Sequence, residues 1–577
     1  SGTAVVNLLP SVVEASESSA PLLLLTADRP YELRQTGANQ TIDQVKIFGS
    51  YARFNADLAP PGDGAPARVC ATTAATALRY LRGTNPGPVH LNCAFREPLG
   101  PQRVDWDADA ALKGLENWEA SSTQFTIGNS SSSTLLDGDA WRAALTRIVG
   151  AKRGLLVVGG GSSAADSIAA ASIAKTLGWA VAADATSGMR VGASARDDVR
   201  VVSMIDYVLV EPKAHDALRP DVVLQVGSRL TSKRLCQFLE ASAIDHGAEW
   251  IVVEPTPNRL DAAHCVGVRV ESSIGHAAKI LEDALTRESG YDSSESKAAC
   301  VAFAERAVAV GAAVTREAAV ALNDITANEG LSEMGVAVAV SEGLPDSMGL
   351  FLGNSMPIRD VDAFAGIARL AGSERRDVLV ASIGAPVTAN RGASGIDGVI
   401  SSAAGYAAGL GHPVTLIIGD VSFQHDSNGL LFLRERPGQP PVTVVVVNNG
   451  GGGIFNFLPV ASQIDDESFN RLFATPPDVS RRGLCEAHRM AYGHPTSPEE
   501  LDDALREAWN EGRHNVIEVT TSRARNLIQH KTVQRRCARA ARRALELSET
   551  STSRTIAKVE TATFSLPLRR STTTSEG

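Results

Sequence analysis

Apolar runs of four to six residues, closed by turn formers, alternate along this chain with longer segments that repeat at helical spacing. The runs at 22–26, 88–92, 155–158, 222–226, 250–253, 414–418, 442–447 and 516–520 read as strands. Most are apolar at successive rather than alternate positions, so both faces are expected to be covered, as in a parallel sheet between helices. Helical spacing marks 4–15, 72–82, 141–149 and an alanine-rich 296–323. The order predicts an α/β protein of three parallel-sheet domains: 1–110, expected to lack its N-terminal part, then 136–295 and 324–530. A Trp- and Ser-containing connection at 96–135, with a serine run at 130–133, reads as a linker. The segment 531–577 reads as a basic linker helix and a Ser/Thr-rich tail, with Arg535, Arg536, Arg539, Arg542 and Arg543 solvated.

The stretch 414–455 carries the most chemistry. Its first strand runs into Gly419-Asp420-Val421-Ser422, a helical segment follows, and the second strand ends in Asn448-Asn449-Gly450-Gly451-Gly452-Gly453-Ile454-Phe455. A right-handed crossover sets both loops at the carboxyl ends of neighbouring strands, where open α/β sheets bind ligands. Asp420 and Asn449 are then expected to face one another. A carboxylate, an amide oxygen and a glycine-loop carbonyl are hard oxygen ligands, suited to octahedral Mg²⁺ shared with a phosphate. The glycines let backbone approach that anion closely. An ordinary strand-end turn is the rival explanation for the same residues.

With 577 residues, 44% of them hydrophobic, and a net charge of −10, the chain reads as globular and without a nucleic-acid partner. No uninterrupted apolar run reaches bilayer-spanning length, so no membrane span is expected. Seven scattered cysteines without a C-x-x-C spacing read as reduced thiols. Gly159-Gly160-Gly161 follows a strand, but Ala164-Ala165 stands where a dinucleotide fingerprint needs its last glycine. A tight strand-to-helix turn is expected there, with a dinucleotide-dependent oxidoreductase as the alternative.

Gly-Asp, 27 intervening residues and Asn-Asn resemble the signature of thiamine diphosphate enzymes. That resemblance implies that Asp420, Asn449 and the Gly451 carbonyl hold Mg²⁺, or Mn²⁺, against the cofactor's diphosphate, with Gly419 and Ser422 beside them. Further blocks resemble one branch, the 2-succinyl-5-enolpyruvyl-6-hydroxy-3-cyclohexene-1-carboxylate synthase family. They are Ser1-Gly-Thr-Ala-Val5, Thr26-Ala-Asp-Arg-Pro30, Thr36-Gly-Ala-Asn-Gln-Thr-Ile42, Gly227-Ser-Arg-Leu-Thr-Ser-Lys-Arg234, Gly353-Asn-Ser-Met-Pro-Ile-Arg-Asp360, Asn390-Arg-Gly-Ala-Ser-Gly-Ile-Asp-Gly398 and Phe473-Ala-Thr-Pro-Pro-Asp478. Several blocks in the right order are more specific than any one of them.

The resemblance implies decarboxylation of 2-oxoglutarate with thiamine diphosphate and 1,4-addition of the succinyl unit to isochorismate, in menaquinone or phylloquinone biosynthesis. It places Lys233, Arg234, Arg359, Arg391 and Ser355 against substrate carboxylates, which guanidinium forks suit. It places Asn39 and Gln40 against substrate, Ile396 under the bent cofactor, and Ile454, Phe455 and Leu458 as an apolar wall. Taken singly, the cations read as surface charges and the hydrophobes as core, while the Asn-Gln pair fits a capped loop as well as a substrate contact. The family's activating glutamate is expected upstream of Ser1 and not at Glu14 or Glu17, so this stretch alone is expected to be inactive or severely slowed. A homodimer or homotetramer with the cofactor between subunits is also implied. The segment 563–569 resembles the opening of an o-succinylbenzoate synthase domain, as in fused plant phylloquinone proteins. That implies a chloroplast location, with cytoplasm as the alternative. Two other functions fit the cofactor motif: an acetolactate synthase or 2-oxo acid decarboxylase, and a non-catalytic scaffold module.

Overall fold

The structure, a computed structural model, describes residues 1–62, 66–100, 107–113, 115, 118, 138–161, 163–191, 195–196, 199–287, 291, 294–367, 381–382, 385–435 and 438–563. The serine run 130–133 and most of the segment 563–569 lie outside the described residues.

The expected strands form three parallel sheets. In the first, β1 (Leu22–Asp28), β2 (Phe54–Leu58) and β3 (Pro88–Ala94) lie in the order β1-β3-β2. In the second, β4 (Gly154–Val158), β5 (Ala180–Ala183), β6 (Val222–Val226), β7 (Glu249–Glu254) and β8 (Val268–Glu271) lie in the order β5-β4-β6-β7-β8. The third contains β9 (Gly349–Leu352), β10 (Val387–Thr388), β11 (Val414–Gly419), β12 (Val442–Asn448), β13 (Ala491–Gly493) and β14 (Asn515–Thr520). Its order is β10-β9-β11-β12-β14-β13. Every residue of β4 and β6 is buried, because helices cover both faces. β1 instead alternates buried Leu24 with exposed Leu23 and Leu25.

Local chemistry explains several boundaries. The segment expected as one helix at 4–15 is two, Thr3–Val6 and α1 (Leu9–Glu17). Pro10 has no N–H to offer the Val6 carbonyl, and its ring crowds that turn. The triple glycine is a close-packed turn, as expected: a Cβ on Gly159 would lie 1.9 Å from the Ser228 carbonyl oxygen. Ser163 and Asp166 then cap the following helix reciprocally.

The basic linker helix needs correction. It begins earlier, as α7 (Arg523–Thr563), and it is part of the core rather than a solvated linker. Val533, Cys537, Ala541 and Leu545, one per turn, are all 3% exposed or less and pack on the long helix α3 (Glu295–Glu329). Arg536 pairs with Glu317 and Asp324, each at 2.6 Å, and Arg542 with buried Glu211 at 3.0 Å. A stripe this narrow is outweighed by arginine when a segment is read by its charge. α3 is long and apolar enough to cross a membrane, but 56% of its most apolar window is buried inside the protein, as in a core helix.

Leu545→Ala should cost about 2–4 kcal/mol, seen as a lower urea midpoint at unchanged slope. Leu547→Ala, at a position 71% exposed, should stay within about 0.5 kcal/mol. Equal effects at the two positions would contradict this packing.

Candidate active site

Because the strands of the third sheet are parallel, the loops that follow them gather along one edge. Asn354 and Ser355 follow β9, Asn390 and Arg391 follow β10, Asp420 follows β11, and the Asn448–Gly453 loop follows β12. Gly419 pairs with Val447, which brings Asp420 to the same sheet end as the asparagine pair. Asp420 is the first residue of a short helix, α6 (Asp420–His425), rather than part of a loop.

Asp420 is 2% exposed. Its Oδ2 accepts the N–H groups of Gly450 at 3.1 Å and Gly451 at 2.8 Å, and its Oδ1 accepts that of Val421 at 2.9 Å. The glycine loop is therefore folded onto the carboxylate. Gly451 has φ +123°, and a Cβ there would lie 2.2 Å from the Ala474 carbonyl oxygen. Its own carbonyl accepts the Gly453 N–H at 2.8 Å and keeps a second lone pair.

Both asparagine side chains are held by carboxyl groups. Asn448 Nδ2 donates to Glu518 at 2.7 Å, and Asn449 Nδ2 donates to Glu333 at 2.9 Å. Asn449 Oδ1 is left buried and without a partner. Buried Arg481 lies 3.2 Å from Glu518 and 3.8 Å from Asp420. Burial, then the charge of Asp360, pushes the Glu333 carboxyl up to about 8. Burial also raises Asp420, against its backbone N–H donors and Arg481. An orphan amide oxygen, a buried carboxylate and a free carbonyl lone pair in an acidic site fit a hard divalent cation. Glycine backbone leaves room for the diphosphate that the cation would carry.

The other expected residues divide into two groups. Arg391 donates to Asn354 at 2.9 Å and keeps a buried, unpartnered Nε. Arg359, on α5 (Met356–Phe364), donates to the Ser355 carbonyl at 2.5 Å, and desolvation, then the charge of Arg391, lowers its pKa. Neither arginine has an ion pair among the described residues. Ser355 holds a left-handed φ of +73°, a strained position for a non-glycine residue. The Ile396 carbonyl accepts the Ser422 hydroxyl at 2.5 Å, which ties its loop to α6. Ile454 and Phe455 are half-buried after the glycine loop rather than in the core, while Leu458 is 47% exposed.

Elsewhere, Lys233 is exposed at the start of α2 (Lys233–Ile244), and Arg234 is turned onto Asp206 within the middle domain. Asn39 and Gln40 are exposed on the first domain and make no hydrogen bond to the metal loop. Glu14 is a strut: its two oxygens accept the N–H groups of Gly392 and Ala393, each at 2.7 Å, steadying the loop that carries Arg391. A cavity of about 1210 Å³ lies between α1, the middle domain and that loop, and neither Asp420 nor Asn449 lines it. Arg229 and Arg391 line it together with Glu14, Glu17, Asp166 and Glu254, so the Arg391 loop borders both this cavity and the strand-end loops.

Sequence reading missed Glu333, Arg481 and Glu518. Ser332-Glu333 looks like a helix cap followed by a first-turn acid, and Ser332 does cap α4 (Glu333–Gly343). That ordinary role hides the contact with Asn449.

Residues 109–352 match a family described as "Middle domain of thiamine pyrophosphate", and residues 387–519 match "Thiamine pyrophosphate enzyme, C-terminal TPP binding domain". The 2-succinyl-5-enolpyruvyl-6-hydroxy-3-cyclohexene-1-carboxylate synthase of Salinibacter ruber is 38% identical over 92% of this chain and 83% of its own. The chain belongs to this synthase family. A synthase of the same name from Rubrobacter xylanophilus is also 38% identical, over 93% of this chain and 85% of its own. The chloroplastic protein PHYLLO of Arabidopsis thaliana is 39% identical over 96% of this chain, which spans 32% of that protein's length. Membership settles the cofactor class as thiamine diphosphate.

Gly451→Ala should weaken Mg²⁺-dependent thiamine diphosphate binding on the order of tenfold or more. Gly450→Ala should cost only about 1–2 kcal/mol of strain, because its Cβ would meet nothing within 4 Å. Calorimetric titration that ranks the two variants the other way would contradict the loop geometry.

Proposed function

We propose that the full-length protein is a 2-succinyl-5-enolpyruvyl-6-hydroxy-3-cyclohexene-1-carboxylate synthase acting on 2-oxoglutarate and isochorismate in quinone biosynthesis. The observation that carries this reading is the pair Arg359 and Arg391, neighbouring guanidiniums without an ion-paired carboxylate among the described residues, on the edge that holds Asp420 and Asn449. Two like charges held together are costly until anions arrive. Dicarboxylate substrates supply those anions, whereas a pyruvate-only enzyme has no second carboxylate to neutralise.

Asp420, Asn449 Oδ1 and the Gly451 carbonyl would hold Mg²⁺ or Mn²⁺ against the cofactor's diphosphate. When bound, thiamine diphosphate supplies the electron sink for decarboxylation and transfer of the succinyl unit. Arg391, through its unpartnered Nε, and Arg359 would clamp substrate carboxylates, with Ser355 beside them. Ile396, Ile454, Phe455 and Leu458 would exclude water from the reacting centre. Lys233 would reach the pocket from α2, and Arg234 would join it by exchanging Asp206 for substrate.

Asn39 and Gln40, exposed on this chain, would complete the site of a second copy, so we infer a homodimer or homotetramer. We also infer a chloroplast location, supported by the likeness to a chloroplastic relative.

Mass analysis should find the synthase product when full-length protein is supplied with 2-oxoglutarate, isochorismate, thiamine diphosphate and Mg²⁺. Arg391→Ala should lower kcat/KM by roughly 10- to 100-fold. Acetolactate formed from pyruvate in preference would favour the other branch of the family. Failure to bind cofactor and metal would favour a scaffold.

A further inference from the structure

We propose that Glu333 is a positioning residue that fixes the Asn449 amide so that its oxygen, and not its nitrogen, is presented to a divalent cation. The role rests on the cofactor reading above. An asparagine amide has two ends of nearly equal size, and a 180° turn exchanges an acceptor for a donor. With the NH₂ end outward, the site would lose a metal ligand and point a positive dipole at the ion.

Glu333 is placed to prevent that turn. It stands in the first turn of α4, where an acidic side chain ordinarily faces water and complements the helix dipole. Here it is 3% exposed, flanked by Met334, which is fully buried, and its side-chain hydrogen bond goes to Asn449 Nδ2 at 2.9 Å. Burying a carboxyl group is costly unless it is bonded. Asn449 Oδ1, at the other end of the same amide, is buried without a partner, a second and independent sign that the site expects a ligand there. Asn448 shows the same arrangement with Glu518 at 2.7 Å, so the whole asparagine pair is oriented from behind. Partners of this kind commonly tune metal affinity without touching the metal.

The test is Mn²⁺ binding to full-length protein at fixed thiamine diphosphate, read by electron paramagnetic resonance at low temperature, beside the melting temperature of each metal-free variant. Glu333→Ala should weaken Mn²⁺ binding roughly 10- to 100-fold. Glu333→Gln should restore most of it, because the glutamine carbonyl accepts the same hydrogen bond. Asp420→Ala should lose Mn²⁺ altogether. If Asp420→Ala loses Mn²⁺ while Glu333→Ala binds like the wild type, Glu333 has no positioning role and the cofactor reading stands. If Glu333→Gln binds as poorly as Glu333→Ala, acceptance of the amide proton is not the reason and the proposal falls. If the wild type does not bind Mn²⁺, both fall. Should Glu333→Ala fail to fold, Glu333→Asp, one methylene shorter, decides: weakened binding supports the role and unchanged binding overturns it.

Discussion

The 2.9 Å hydrogen bond from half-buried Asn449, through Nδ2, to buried Glu333 determines which end of the amide is left over. The oxygen is left over and buried, and the two residues that follow Asn449 in the loop, with Val421, supply the three backbone N–H groups that hold the Asp420 carboxylate in place. Neither group can relax toward solvent, so the loop carries an unmet demand for positive charge. Arg481 meets part of it from 3.8 Å away. A divalent cation carrying the cofactor's diphosphate would meet the rest, as the proposed site requires.

Everything else at the site follows from the sheet beneath it. Parallel strands deliver the Ser355, Arg391, Asp420 and Asn449 loops to one edge without long connections. The edge is braced from two sides. Glu14, from the first domain, holds the Arg391 loop through two backbone N–H groups. α7 leaves the end of β14, where the Thr521 N–H meets the Asn448 carbonyl at 2.8 Å, and runs back along α3 to the middle domain. On the way His530 lies 3.2 Å from Asp360 and 2.8 Å from the Tyr207 hydroxyl.

Much of this was legible in the chain itself. Continuous apolar runs such as 442–447 announce buried parallel strands, and Gly-Asp followed at a fixed distance by Asn-Asn announces the thiamine diphosphate enzyme class. What was not legible depends on long-range contact. Glu333 is 116 residues from Asn449, and its local context is a complete helix cap that needs no further explanation. In α7 the charged residues dominate composition, while one buried residue per turn suffices to dock it. Arg234 sits in a motif that suggests a substrate contact, yet Asp206, which occupies it here, gives no sign in sequence of being its neighbour.

The most direct measurement is a crystal of the full-length protein grown with thiamine diphosphate and Mn²⁺, with the ion located by its anomalous scattering. The account predicts one peak at roughly 2.1–2.2 Å from Asp420, Asn449 Oδ1 and the Gly451 carbonyl, with the remaining positions taken by diphosphate and water. A manganese peak elsewhere, or Asn449 turned so that its oxygen meets a protein donor and not the ion, would contradict it.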